Sequence, residues 1–93
     1  MKVKNPVRGE IVESVQGKDK GNYYVVCEVC AHCVLVADGI KRKLANPKKK
    51  NVKHLRLTPR NIAEEGVTFP WDGSFDNRIA YILKNIAADG EKS

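Results

Sequence analysis

Apolar and polar residues alternate along the first half of the chain and recur at helical spacing only near its end. Gly9-Glu10-Ile11-Val12-Glu13-Ser14-Val15 is rich in β-branched residues, with Ile11 and Val15 on one face of an extended segment and Val12 on the other. Gln16 to Asn22 then reads as a loop, because its two glycines, Asp19 and Asn22 suit the unusual dihedrals of turns. Tyr23–Val29 is nearly all aromatic or β-branched and predicts a second strand. A short connection at Cys30–His32 leads to a third, Cys33–Ala37. Asp38-Gly39 between apolar runs signals a two-residue hairpin, with Ile40–Leu44 returning as a fourth strand. Asn46-Pro47 opens a lysine-bearing loop, and alternation over Val52–Leu57 predicts a fifth strand. Five short strands with tight turns point to a small closed barrel over residues 1–57.

The last third, 58–93, reads as an extension packed on the same domain. Thr58-Pro59 has the form of a helix N-cap followed by proline at the first helical position, with Glu64-Glu65-Gly66 ending that short segment. Phe69-Pro70-Trp71-Asp72-Gly73 predicts a turn whose aromatics fold back over the barrel. Ile79, Ile82, Leu83 and Ile86 mark an amphipathic helix over 76–88, capped by Ser74 or Asp76 and closed by Gly90, with Glu91-Lys92-Ser93 a frayed tail. The expected class is mostly β with a C-terminal α-helix.

Ninety-three residues suit one domain with one small core. Apolar runs such as Cys33–Ala37 and Ile86–Ala88 fall far short of the roughly 20 residues that span a bilayer, and Met1–Arg8 has no apolar signal region. A cytoplasmic protein with no membrane partner is the expectation. The net charge of +6 is unevenly spread. Residues 39–60 hold nine Lys/Arg and no acid, residues 1–38 balance to zero, and residues 61–93 carry a charge of −3. An acid-free block of that kind is the footprint of a polyanion-binding edge.

Gly17-Lys18-Asp19-Lys20-Gly21 joins two expected strands and holds two lysines at its tip, where ammonium and backbone N–H groups can meet a phosphate chain. Together with Gly9-Glu10-Ile11-Val12-Glu13-Ser14 and Val25-Val26, this loop resembles the KOW motif of several ribosomal proteins and of a class of transcription elongation factors. Val36-Ala37-Asp38-Gly39, Arg42-Lys43-Leu44, Asn46-Pro47-Lys48-Lys49-Lys50 and Lys53-His54-Leu55 extend the resemblance, over about residues 8–57, to bacterial relatives of KOW-type large-subunit ribosomal proteins. It implies an SH3-like five-stranded barrel, RNA binding with ribosomal RNA as first partner, and ribosomal or transcription and translation proteins as further partners. Carried over by position, the motif loop supplies Lys18, Lys20 and Gly21, and the basic segment Lys41, Arg42, Lys43, Lys48, Lys49, Lys50, Lys53 and His54. The lysines would position phosphates, while Arg42 and Arg56 suit forked contacts. Of Tyr23 and Tyr24 only one can face outward to stack on a base; core packing is the simpler role for both. Residues 58–93 match no family pattern.

Cys27-x-x-Cys30-x-x-Cys33 beside His32 suggests a metal or redox site, but zinc takes four ligands from two separated pairs, and only His54 is a remote candidate. Reduced thiols are expected, Cys27 and Cys33 as small buried residues and Cys30 at a turn, with no cofactor. No nucleophile sits near a His–acid pair and no cofactor fingerprint is present, so a non-enzyme is expected. The alternative function is a protein–protein interaction module docking through the acidic C-terminal third with Phe69, Trp71 and Phe75.

Overall fold

The computed structural model describes the backbone of residues 6–92 and the side chains of 6–88; the signal-region reading at residues 1–5 and the tail residue Ser93 lie outside the described residues. Strands β1 (Glu10–Ser14), β2 (Tyr23–Val29), β3 (Cys33–Ala37), β4 (Lys48–Asn51) and β5 (Leu55–Asn61) are followed by helix α1 (Asp76–Lys92). The five strands form one antiparallel sheet in the order β4-β3-β2-β1-β5. Against the expected barrel, the sheet is not closed: β4 and β5 are its two edges. Only the 3-10 turn Val52–His54 separates them, so the edges start close together and the sheet curls.

Alternation places apolar side chains on both faces of this curl. Ile11 and Val25 meet Ile79, Ile82, Leu83 and Ile86 of α1, with Ile62 and Val67 completing a buried cluster. Val12, Tyr24, Val26, Val34, Val36 and Leu55 bury themselves inside the curl on the other face. Helix α1 is as amphipathic as its spacing predicts, but it runs through Gly90, Glu91 and Lys92 rather than stopping at 88. It is entered through a 3-10 turn, Gly73–Phe75, capped by the Asp72 side chain accepting from Ser74 N.

Two expected elements are replaced. Ile40–Leu44 is not a strand. The Asp38 carboxylate accepts from the backbone N–H groups of Ile40 (2.8 Å) and Arg42 (3.0 Å), closing a knob that leaves Ile40 67 % exposed. The fourth strand lies instead in the expected loop, where Lys48–Asn51 pairs with Val36–Cys33. Thr58-Pro59 does not start a helix either, and β5 continues through both residues. The β1–β5 register shifts there, so proline, which has no N–H to give, sits in an irregular stretch of an edge strand. The Thr58 hydroxyl donates to the Ile11 carbonyl at 2.6 Å and ties the irregular stretch to β1. The 3-10 turn Ile62–Glu65 follows, capped by Asn61. Among the described residues no helix is long and apolar enough to cross a membrane.

Candidate nucleic-acid interface

The loop between β1 and β2 is closed by its own backbone. Ser14 N donates to Asn22 O at 2.9 Å and Gly21 N to Ser14 O at 2.8 Å. Gly21 turns the chain back with φ at +94°, where a side chain would be strained. This closure leaves Lys18 and Lys20 exposed and points the Asp19 carboxylate inward. Asp19 Oδ1 accepts from Ser14 Oγ and from Lys50 Nζ, each at 2.9 Å, and Oδ2 accepts from the Tyr24 hydroxyl at 2.9 Å and from Lys48 Nζ at 3.4 Å.

Lys50, only 8 % exposed, also donates to Ser14 Oγ at 3.2 Å. It lies opposite Val34 and Lys48 opposite Val36, so strand alternation directs both ammonium groups to the inner face of the curl and Lys49 to the other. Burial pushes the Asp19 carboxyl up, but hydrogen bonds from Lys50, Ser14 and Tyr24 outweigh it and hold the group well below the usual carboxylate range. Burial, with the Asp19 carboxylate beside it, pushes the Tyr24 phenol up to about 12. Asp19 is thus the residue that joins the glycine loop to the basic segment. Its place between Lys18 and Lys20 is plain in the sequence, but nothing there shows that Lys48 and Lys50 fold onto it.

Around this network opens a shallow cleft of about 440 Å³, walled by Lys18 and Asp19 from the loop, Lys41 and Arg42 from the knob, and Lys48 with Lys50 from β4. Not every basic residue of the block joins it. Arg56 forks onto Glu13, its partner across β5 and β1, at 2.7 Å from Nε and 2.6 Å from Nη2, which raises the guanidinium pKa further. Lys43 is exposed outside the cleft lining, and His54 is half-buried in the 3-10 turn with its carbonyl accepting from Val15 N. Lys53 borders a separate depression of about 520 Å³ beside Cys30 and His32. Neither tyrosine stands free: Tyr24 is buried inside the curl and Tyr23 is half-buried against the α1 cluster.

Cys27 and Cys33 are half-buried and Cys30 exposed. Among the described residues no group of three or more His, Cys, Asp or Glu side chains converges as a metal-ligand set. Of the three aromatics proposed for docking, Trp71 and Phe75 pack against the α1 cluster, while Phe69 stays 56 % exposed. The Arg8 guanidinium sits 4.0 Å from the Phe69 ring centre and ion-pairs with Glu28, and Trp71 meets Phe69 edge-on at 5.5 Å. No family model matches the chain, and no curated protein matches it.

Proposed function

We propose that this chain binds structured RNA, ribosomal RNA foremost, through the cleft between the Gly17–Gly21 loop, the Asp38–Arg42 knob and β4. The observation that carries the reading is the meeting of Lys18, Lys41, Arg42 and Lys48, drawn from three separate stretches of chain, around one cleft. Such a concentration of cations neutralises phosphates and releases counterions, and its curved walls suit a folded backbone better than a base edge. The KOW resemblance of residues 8–57 points the same way, and the two curled edges joined by a three-residue turn support an opened form of the SH3-like barrel it implies.

A titration with structured ribosomal RNA at several salt concentrations, with tRNA as control, tests this. Four phosphate contacts predict that log K falls with log salt at a slope of about −3. The double variant Lys18→Ala/Lys41→Ala, altering exposed side chains alone, is expected to weaken binding and flatten that slope by about 2. Unchanged affinity and slope would remove the cleft from consideration. A protein-docking reading keeps one observation in its favour, the exposed Phe69 ring held by Arg8. It predicts a partner whose binding survives salt and is lost in Phe69→Ala.

A further inference from the structure

The β2–β3 ladder ends at Val29 opposite Val34, and one step further Cys30 N donates to the Cys33 carbonyl at 2.9 Å. The two cysteines therefore face each other across the turn residues Ala31 and His32. Directly opposed residues of a hydrogen-bonded antiparallel pair hold their Cα atoms about 5.5 Å apart with side chains on the same face. That separation falls inside the window a disulfide needs. Cys27 is set apart from them. It lies where the β2–β3 register shifts, its thiol donates to the Val25 carbonyl at 3.7 Å, and burial pushes it up to about 11.

The depression of about 520 Å³ opens at this turn, with Cys30 and His32 on its wall and exposed Lys53 at its side. It offers room for a small reagent and a cation to meet an anionic one. We propose that Cys30 and Cys33 form a reversible disulfide site, with Cys30 the thiol that meets an anionic low-molecular-weight disulfide of the glutathione class and Cys33 the thiol that resolves it. Cys30 is the more exposed of the two and so attacks first.

Its thiolate, having given its proton to solvent, attacks one sulfur of the reagent. The reagent's S–S bond breaks and one thiolate leaves to take up a proton. Cys33, deprotonated in turn, attacks the Cys30 sulfur of the mixed disulfide. The protein bridge forms and the second thiolate departs and is protonated. Two electrons pass from the cysteine pair to the reagent, which ends as two thiols. The Cys33 thiol beside it pushes the Cys30 thiol up, so exchange quickens with rising pH, by about tenfold per unit below that pKa.

The test exposes reduced, full-length protein to glutathione buffers of increasing disulfide content, quenches with acid, alkylates, and cleaves after Glu28 to part Cys27 from the pair. The fragment carrying Cys30 and Cys33 is expected to lose two hydrogens, to regain them with dithiothreitol, and to show no lasting glutathione adduct. The Cys27 fragment is expected to stay reduced. In Cys33→Ser the reaction should stall with glutathione on Cys30, and Lys53→Glu should slow it several-fold. A stable glutathione adduct on the native protein, a bridge through Cys27 or between chains, a thiol pair that stays reduced throughout, or a bound metal ion that protects it would each overturn the proposal. The fragment masses of the native chain decide this even if a variant fails to fold.

Discussion

Asp19 and Lys50 show how a single carboxylate can make a buried lysine tolerable. An ammonium group that leaves water needs an opposite charge and filled hydrogen-bonding positions, and Asp19 with Ser14 supplies both. Asp19→Ala is therefore expected to cost about 3–5 kcal/mol in urea unfolding, because it strands the Lys50 charge. Lys41→Ala, at an exposed position, should fall within about 0.5 kcal/mol of the parent. The pH dependence has two limbs. Asp19 is depressed in the folded chain, so its stabilisation is whole above the ordinary carboxylate value of 3.8 and is lost as pH falls from there through the native value. Tyr24 is raised, so its share is whole below the ordinary phenol value of 10.0 and fades as pH climbs toward about 12. Melting temperatures between pH 9 and pH 12 should fall more steeply for the native chain than for Tyr24→Phe. Lys18 and Lys20 stand out on their loop as their sequence suggests, whereas the inward turn of Lys50 was hidden, since three lysines in a row look alike until a strand gives them alternate faces.

At the scale of elements, the sequence was most legible where side-chain period and burial agree. β2 and β3 carry dense apolar runs and α1 an apolar stripe at helical spacing, and each begins where its pattern begins. β4 carries no apolar residue, so its strand character comes wholly from pairing with β3, and the apolar ends of Ile40–Leu44 pointed to the wrong segment. Thr58-Pro59 is ambiguous in the sequence because the same two residues that open a helix also suit an irregular strand edge. The knob replacing the expected strand is locked to α1. Leu44 N donates to the Asp76 carboxylate at 2.9 Å, and a Cβ on Gly39 would lie 2.1 Å from the Asp76 carbonyl oxygen. Gly39 also has φ at +81°, so Gly39→Ala is expected to cost about 3 kcal/mol in thermal melting and to loosen the start of α1. Gly21→Ala meets no atom within 4 Å and should cost only the backbone strain, about 1–2 kcal/mol.

For the whole molecule, folding divides what the linear charge count had lumped together. The acid-free stretch of 39–60 sends Lys41, Arg42 and Lys48 to the cleft, Lys50 inward beneath it, Arg56 onto Glu13 and Lys53 to the hairpin side. A count of basic residues along the chain therefore overstates the phosphate-facing charge, and the salt slope of about −3 reflects three of those nine cations together with Lys18.

The alternation within β1 and β2 reaches beyond packing. Ile11 and Val25 belong to the core under α1, while Val12, Tyr24 and Val26 belong to the core inside the curl, so neighbouring residues on the same two strands serve opposite faces. Neither core can come apart without disturbing the backbone that carries the other. Amide hydrogens of paired β1 and β2 residues should consequently exchange with solvent most slowly, only on global opening, and those of the exposed tip of the Gly17–Gly21 loop far sooner. Val25→Ala and Val26→Ala, on opposite faces, should each speed exchange across both cores alike, as one cooperative unit would.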